Sequence, residues 1–239
     1  MKIDVFFTPI GSRDGDLAGR GVVVIDVLRA TTTVVAAIAN GAKAVVPAAS
    51  SEEAVRMTAN LERDTFVLAG ERRAARIEGF ALGNSPREMT PQAVAGKTVF
   101  LATTNGTPAL VAAQGGEPVL VGAAVNFSAL AERAREAFAA TGHLVIVCAG
   151  RERQFALEDA YAAGRLIKAV KRGRRRLDLN DAARVALAIT DDFPDWDTAL
   201  RASAAARQLI ELDFGDDVAF CATEDRFGVV PTCADRRVT

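Results

Sequence analysis

The sequence has few of the residues that metal and nucleophile sites most often use. It contains one histidine, His143, which excludes two-histidine metal sites, the HExxH motif and most of the commoner catalytic triads. Its three cysteines, Cys148, Cys221 and Cys233, form no CxxC pair and leave an odd thiol. Neither a disulfide framework nor a zinc-thiolate site is therefore predicted, and a reducing cytoplasm is the expected location. Any chemistry must come from carboxylates, guanidiniums, hydroxyls and the backbone.

The sequence also lacks a surplus of charge and a long apolar run. The formal net charge is −1 and the pI is about 6.0, so no general basic field is available to attract DNA or an anionic bilayer. No stretch approaches the roughly 20 apolar residues that span a membrane, and no signal peptide is visible. We expect neither a nucleic-acid partner nor a membrane, and the sequence leaves assembly into a homo-oligomer open.

Nucleotide-binding motifs are missing as well. Gly96-Lys97-Thr98 resembles the end of a P-loop, but Pro91 stands where its first glycine is required. No GxGxxG follows a predicted strand, which counts against a dinucleotide-binding fold.

What the sequence does have is an alternation of strand and helix patterns. Half of its residues are hydrophobic and 25% are charged, which is enough for a sizeable core. Continuous apolar runs predict strands covered on both faces, at residues 3–7, 21–27, 44–47, 66–68, 98–101, 118–121 and 144–148. Alanine-rich segments with helical spacing lie between them, at residues 32–40, 51–61, 108–114 and 128–140, the last with Ser128 as its cap. The prediction is a three-layer α/β/α fold with a mainly parallel sheet.

The last third of the chain has a different pattern. Residues 165–239 are predicted to be mainly helical, with helices at 165–176, 180–190 and 198–212. Two short apolar runs, 217–221 and 229–231, are predicted to add edge strands. The length suits a single α/β domain over residues 1–239.

The chain resembles itself at a spacing of roughly 70 to 80 residues. Residues 30–33 resemble 102–105, each following a strand and opening an apolar helix, and Ala69-Gly70 resembles Ala149-Gly150. This pattern predicts an internal duplication of two βαβαβ units, at residues 20–86 and 97–164. The alternative is that any two βαβαβ units look alike.

The first candidate site lies where the second predicted strand ends and the next helix begins. Asp26 ends the strand, Arg29 follows three residues later, and Thr31 and Thr32 open the helix. Ligands of open α/β sheets bind beyond the carboxyl ends of strands, and a helix N-terminus attracts anions. The pattern fits a phosphate held by Arg29, with Asp26 holding a cation or attacking phosphorus. The alternative is that Thr31 only caps the helix and Asp26 only pairs with Arg29.

The loops that follow other predicted strands carry residues suited to ligands of opposite charge. Asn105, Gly106 and Thr107 form a tight turn at a helix start, which suits an anion. Glu71 follows the strand of the first half and Arg151 that of the second, so one loop suits a metal and the other an anion.

The acid pair Glu158-Asp159 is a weaker signal on its own. Adjacent residues of a helix face different directions, so we expect one acid at the site and the other to be solvated or structural.

Taken together, these motifs resemble the 2-phosphosulfolactate phosphatase family, magnesium-dependent acid phosphatases of coenzyme M biosynthesis. The resemblance runs through most of the chain. The segments that carry it are Asp26-Val27-Leu28-Arg29-Ala30-Thr31-Thr32-Thr33, Ala69-Gly70-Glu71-Arg72, Gly79-Phe80, Gly83-Asn84-Ser85-Pro86, Thr104-Asn105-Gly106-Thr107, Cys148-Ala149-Gly150, Phe155, Leu157-Glu158-Asp159, Ala163-Gly164 and Asp217-Val218-Ala219-Phe220-Cys221.

This resemblance implies a Mg²⁺-dependent phosphomonoesterase acting on a small phosphorylated acid, with 2-phosphosulfolactate converted to 3-sulfolactate and phosphate. Asp26, Arg29 and Glu71 are the expected catalytic residues, and Asp26, Glu71, Glu158 and Asp159 the expected metal ligands. Phosphate and substrate binding is expected from Thr31, Thr32, Asn84, Ser85, Asn105, Gly106, Thr107 and Arg151. Metal-activated water and an aspartyl nucleophile, Asp26, both suit these residue types.

Two positions depart from the family pattern and motivate an alternative. Ala81 stands where an acid is usual, and Pro108 stands where a basic residue usually follows Thr107. A noncatalytic small-anion sensor or binding protein on the same fold is therefore the second hypothesis. A third is a polyanion-binding protein that uses the basic residues 168–176, although that run has no aromatic side chains for stacking bases.

Overall fold

The computed structural model describes residues 1–9, 17–171, 173 and 176–239. Its strands are β1 Lys2–Phe6, β2 Gly21–Ile25, β3 Ala44–Ala48, β4 Phe66–Arg72, β5 Ala75–Arg76, β6 Thr98–Ala102, β7 Val119–Gly122, β8 His143–Cys148, β9 Asp178–Leu179, β10 Cys233–Ala234 and β11 Arg237–Val238. Its α-helices are α1 Ala30–Ala39, α2 Ser51–Thr58, α3 Pro91–Val94, α4 Gly106–Ala112, α5 Phe127–Thr141, α6 Leu157–Lys171, α7 Asp181–Ile189, α8 Trp196–Ala202, α9 Ala204–Glu211 and α10 Gly215–Cys221. Short 3-10 helices occupy Pro86–Glu88 and Ala124–Asn126.

The strands form two sheets, and the predicted α/β class with mainly parallel strands is confirmed. The first sheet has the order β7-β2-β8-β1-β9, and all its pairs are parallel. The second has the order β10-β11-β3-β6-β4-β5. Its centre, β3-β6-β4, is parallel, and its outer pairs are antiparallel.

The first and second halves of the chain exchange their first strands. In chain order, the halves run β2-α1-β3-α2-β4 and β6-α4-β7-α5-β8. Strand β2 lies between β7 and β8 of the other half, and β6 lies between β3 and β4. Each sheet therefore mixes strands from both halves, so the loops that follow these strands come from both halves as well. The matching topology is what a duplication predicts, while the division into repeats stays a prediction.

Both faces of strand β2 are covered, as its apolar run predicts. Val23 and Ile25 belong to an apolar cluster with residues of α5 and α6, such as Phe138 and Leu166. Val22 and Val24 belong to a second cluster, which also holds residues of α1, α4 and the second sheet. A side chain that directly follows this strand therefore lies between two packed layers, and that of Asp26 is buried.

Three local predictions are wrong. Residues 217–221 form the helix α10 instead of an edge strand, because a short apolar run does not distinguish strand from helix and Asp216 and Asp217 favour a helix start. Residues 229–231 lie outside the named strands. Ser128 does not cap α5, which begins at Phe127. Ser128 instead donates hydrogen bonds to the carboxylate of Asp225.

The C-terminal segment is mainly helical, as predicted, and packs on α6 through α7 and α8. The predicted helix 198–212 is divided at Ser203, whose hydroxyl accepts the Ala206 N–H (3.0 Å) and so begins α9. Part of the basic run 168–176 lies outside the described residues. Within the described part of the chain, none of the helices combines the length and apolar character needed to cross a bilayer.

Candidate active site

One cleft lies where the ends of the strands of both sheets meet. Loops after β2, β4, β6 and β8 line it, together with the start of α6 and one face of α9. Its volume is about 90 Å³, which is well below the roughly 300–1,000 Å³ of pockets for drug-sized ligands. The lining residues are Asp26, Leu28, Arg29, Glu71, Arg73, Ala74, Asn84, Thr103, Thr104, Asn105, Gly150, Arg151, Glu152, Glu158, Ala205, Gln208 and Leu209.

Asp26 follows β2 directly and lies buried in this cleft. Its Oδ1 accepts the N–H of Ala30, the first residue of α1 (3.2 Å). Burial raises the pKa of Asp26 to about 7, and the nearby carboxylates of Glu158 and Glu71 also raise it, against the lowering effect of the Ala30 N–H and Arg29. The Ala30 N–H and Arg29 therefore do not offset the effect of burial on the ionised form of Asp26.

The Glu158-Asp159 pair occupies the first turn of α6, and both side chains are buried. Glu158 lines the cleft, and burial raises its pKa. Asp159 accepts the N–H of Val27 (2.9 Å) and that of Gly150 (3.1 Å), so it joins the loop after β2 to the loop after β8. Burial also raises the pKa of Asp159 well above its usual range. Glu158 lines the cleft and Asp159 does not, and neither acid is solvated; their roles stay predictions.

Arg29 does not pair with Asp26. Its Nη1 donates to Asp217 Oδ2 (2.7 Å) and its Nη2 to the carbonyl oxygen of Ala74 (3.1 Å), while the guanidinium lies 4.5 Å from the centre of the Phe214 ring. Sequence reasoning missed Asp217 as a partner. The signal was present as an acid inside an apolar run, but the run was interpreted as an edge strand.

Glu71 joins the loops of the two halves. Its Oε2 accepts the N–H of Ala74 (2.8 Å), and its Oε1 accepts the N–H of Thr104 (2.7 Å). The first contact closes the turn between β4 and β5, in which Arg73 and Ala74 have positive φ angles of 53° and 68°. Both carboxylate oxygens of Glu71 therefore already accept backbone hydrogen bonds at the edge of the cleft.

The predicted threonine ligands face the backbone of their own loops. Thr31 Oγ1 donates to the Asp26 carbonyl (2.8 Å) and accepts the Asp26 N–H (2.9 Å), and Thr107 Oγ1 makes the same pair of contacts with Thr103. Thr32 Oγ1 donates to the carbonyl of Val27 (2.8 Å). None of the three lines the cleft. The structure thus makes Thr31 equivalent to Thr107, whereas the sequence comparison matched residues 30–33 with 102–105.

The other predicted ligands divide into two groups. Asn84 and Asn105 line the cleft; Asn105 Oδ1 accepts the Glu152 N–H (3.0 Å), and the buried Asn84 Oδ1 has no hydrogen-bond partner among the residues that the structure describes. Ser85 lies behind the cleft and donates to Asp217 Oδ1 (2.8 Å). Gly106 begins α4, and a Cβ atom there would lie 2.6 Å from Asp26 Oδ2. Gly106 thus allows the Asp26 carboxylate to approach the helix.

Arg151, in the loop after β8, also lines the cleft. Its Nη2 donates to Oε1 of Gln208 (2.9 Å), a residue of α9 that sequence reasoning also missed. Nothing in the local sequence of α9 indicates this contact, because it depends on how the C-terminal helices pack.

The two departures from the family pattern lie outside the cleft. Ala81 is exposed, and Pro108 lines neighbouring surface depressions instead. Pro108 nevertheless borders the cleft, since it shares a depression with the cleft residues Glu71 and Thr104.

The carboxylates of the cleft suit a hard cation in their chemistry. Asp26, Glu71 and Glu158 offer oxygen donors, the type that Mg²⁺ prefers. Within the described ranges, however, no group of three acid, histidine or cysteine side chains is close enough to enclose a metal ion. Mg²⁺ commonly uses only one or two carboxylates, with substrate phosphate and water as its other ligands, and the residues present fit that mode.

Comparison with known proteins places the chain in a family. A family model described as 2-phosphosulpholactate phosphatase matches residues 7–236. A probable 2-phosphosulfolactate phosphatase of Caldanaerobacter subterraneus subsp. tengcongensis is 38% identical over 97% of this chain and 95% of its own length. Proteins with the same description from Thermotoga petrophila and Symbiobacterium thermophilum are 39% and 37% identical, over 89% and 93% of this chain and 88% and 95% of their own lengths. The chain therefore belongs to the 2-phosphosulpholactate phosphatase family, as its motifs indicated.

Proposed function

We propose that this protein is a Mg²⁺-dependent phosphomonoesterase that hydrolyses a small 2-phospho acid. The first candidate substrate is 2-phosphosulfolactate, which would give 3-sulfolactate and inorganic phosphate. The observation that carries the proposal is the convergence of Asp26, Glu158, Arg29 and Arg151 on one small cleft, because carboxylates and guanidiniums together suit a metal-bound phosphate ester.

The substrate class follows from size and charge. A cleft of about 90 Å³ favours a compact ligand over a nucleotide or a peptide. Arg29 and Arg151 lie on different loops that line the cleft, so two anionic groups of one small molecule can each meet an arginine. We assign the phosphoryl group to Arg29 and the carboxylate or sulfonate to Arg151.

Asp26 and Glu158 are the proposed Mg²⁺ ligands, since both line the cleft and burial raises the pKa of each. Glu71 accepts one backbone N–H at each oxygen and so does Asp159, so we propose that these two acids hold the loops in place. Glu71, which lines the cleft, keeps a second lone pair on each oxygen for a cation. A bound Mg²⁺ would neutralise charge on the phosphate oxygens, which is the main requirement of a loose phosphoryl-transfer transition state.

The attacking group remains a choice between water and Asp26. In either route the bond between phosphorus and the ester oxygen breaks, the alcohol leaves with a proton, and one water is consumed overall. With Asp26 as nucleophile, an aspartyl phosphate forms first and is then hydrolysed. Trapping a phospho-enzyme and locating it at Asp26 would select this route, and its absence under single-turnover conditions would select direct attack by water.

The test is phosphate release from 2-phosphosulfolactate and 2-phospholactate, with Mg²⁺ and with EDTA. We expect release that requires Mg²⁺ and that D26N abolishes, while D197N, which changes an exposed acid on α8, keeps wild-type rates. Equal release in EDTA would refute the metal requirement. Binding of these acids without release in either condition would refute the enzyme and favour a noncatalytic binding protein.

A further inference from the structure

Asp217 is a buried carboxylate that lies outside the cleft but contacts it through another residue. It belongs to α10, in the C-terminal helical segment, and only 1% of its surface is exposed. Its Oδ2 accepts a hydrogen bond from Arg29 Nη1 (2.7 Å), although the two residues are 188 positions apart in the chain. Helix α10 thus contacts a residue that lines the proposed site.

The guanidinium of Arg29 is held at several points. Besides the contact with Asp217, Nη2 donates to the carbonyl of Ala74 (3.1 Å), and the Phe214 ring covers one face at 4.5 Å. Because a guanidinium is planar, fixing both terminal nitrogens and one face also fixes the direction of its remaining N–H groups. Arg29 lines the cleft, so its orientation decides how it meets a phosphate.

Asp217 is itself held in one orientation. Its Oδ1 accepts the hydroxyl hydrogen bond of Ser85 (2.8 Å), and Ser85 in turn accepts the N–H of Arg87 at the start of the 3-10 helix. Arg87 Nη1 also lies 4.0 Å from Oδ1, and Asp217 does not line the cleft. Its contacts point instead to the alignment of Arg29.

We infer that Asp217 is a positioning residue that aligns Arg29 for the phosphoryl group of the substrate. This inference rests on the proposed function, in which Arg29 binds phosphate. A contribution to folding stability does not by itself explain the buried Arg29–Asp217 ion pair, since such a pair often stabilises a fold no better than well-packed apolar residues do. Alignment explains why Asp217 is backed by a second residue, Ser85.

The experiment compares two adjacent acids. D217N keeps the size of the side chain but removes its charge and replaces one of its two acceptor oxygens, which receive hydrogen bonds from Arg29 and Ser85, with an NH2 donor. D216N is the matched control, because the Asp216 side chain is 76% exposed and pairs with Arg87 on the surface. The readouts are kcat and KM for 2-phosphosulfolactate, the Kd for inorganic phosphate by calorimetry, and thermal unfolding to establish that each variant is folded.

We expect D217N to raise the Kd for phosphate about tenfold and to lower kcat/KM roughly 10- to 100-fold, the range that follows when a substrate-positioning group is misplaced by about 1 Å. D216N should match the wild type. R29Q removes the guanidinium that Asp217 is proposed to align. Adding D217N to R29Q should therefore change kcat/KM and the Kd for phosphate by less than about twofold. S85A, which leaves Arg29 and Asp217 in place, should give a smaller loss than D217N.

Two results would overturn the positioning role: wild-type phosphate affinity and kcat/KM in folded D217N, or a full effect of D217N in the R29Q background. The outcome also separates this inference from the proposed function. If the wild type hydrolyses neither substrate but D217N still binds inorganic phosphate less tightly, the enzymatic proposal fails and the alignment of Arg29 by Asp217 stands.

Discussion

Gly106→Ala tests whether the approach of α4 to Asp26 sets the geometry of the site. A Cβ at this position would lie 2.3 Å from the Cβ of Ala30 and 2.6 Å from Asp26 Oδ2. Ala30 is fully buried and begins α1, so its methyl group moves only if the helix moves. The carboxylate of Asp26 is the softer neighbour, and we expect it to be displaced.

The substitution should lower both the free energy of unfolding and kcat. Overpacking a buried contact costs about 1–3 kcal/mol, and the greater helix propensity of alanine over glycine returns up to about 1 kcal/mol. The net loss of stability is therefore up to about 3 kcal/mol, a Tm lower by up to about 12 °C for a chain of this size. A displacement of Asp26 by about 1 Å should lower kcat about 100-fold, which corresponds to about 2.7 kcal/mol in the barrier. The loss of kcat should therefore be measured at a temperature at which G106A is fully folded, so that the loss of stability does not account for it.

Calorimetry and phosphate release measure the two quantities, and G215A is the matched control. Gly215 is also the first residue of a helix, α10, but a Cβ atom at this position would have Ile210 Cγ1, at 4.0 Å, as its nearest neighbour. G215A should leave kcat and Tm close to those of the wild type. The reasoning is refuted if G106A keeps kcat within twofold of the wild type, because Asp26 would then tolerate a contact that the geometry forbids.

Three further predictions address stability. In EDTA, the wild type should lose stability as the pH rises from about 4 to 7, because Asp26, whose pKa is about 7 in the folded protein, binds a proton more readily folded than unfolded. D26N should be inactive but more stable than the wild type at pH 8, on the order of a few kcal/mol, and an unchanged Tm at that pH would contradict the burial argument. R165M should cost about 1–2 kcal/mol by urea unfolding, since Arg165 lies 5.0–5.8 Å from the centres of three aromatic rings and also donates to Glu224 and to the Tyr161 hydroxyl, both at 3.0 Å. R133M, which breaks an exposed ion pair, should cost less than about 0.5 kcal/mol, and equal losses would contradict the contribution of the Arg165 contacts. G164A should destabilise the fold strongly, by about 3 kcal/mol or more, because its Cβ would lie 2.0 Å from the backbone oxygen of Ala186; a variant with wild-type Tm would show that α6 and α7 separate without cost.

The sequence was sufficient to predict which loops meet. Asp26 lies at the end of a predicted strand, and Glu71, Asn105 and Arg151 each follow one. The carboxyl ends of parallel strands lie at one edge of a sheet. The structure brings all four to one cleft. The exchange of β2 and β6 between the halves was not predictable from these patterns, because apolar runs indicate strands without indicating their partners.

The residues that hold the site in place were harder to predict. Thr31 and Thr107 look like phosphate ligands in sequence, since hydroxyls at a helix start suit an anion, but the same hydroxyls can bond their own backbone, and here they do. Asp217 and Gln208 lie on helices whose packing against the sheets is decided by tertiary contacts. Their partners, Arg29 and Arg151, could therefore be named as candidates while the contacts that orient them could not.

The charges of the cleft explain why a cation and a phosphate would need each other there. Four acids and three arginines line it, and Asp159 and Asp217 lie buried close behind. Arg29 is already paired with Asp217, so a dianionic phosphate that entered alone would meet more negative than positive charge. Under the proposed function, Mg²⁺ supplies the missing positive charge, and each ligand improves the affinity of the other by the same factor. The raised pKa of Asp26 comes first from its burial, and the nearby carboxylates of Glu158 and Glu71 add to it; a cation bound beside Asp26 would oppose these effects by favouring the ionised carboxylate.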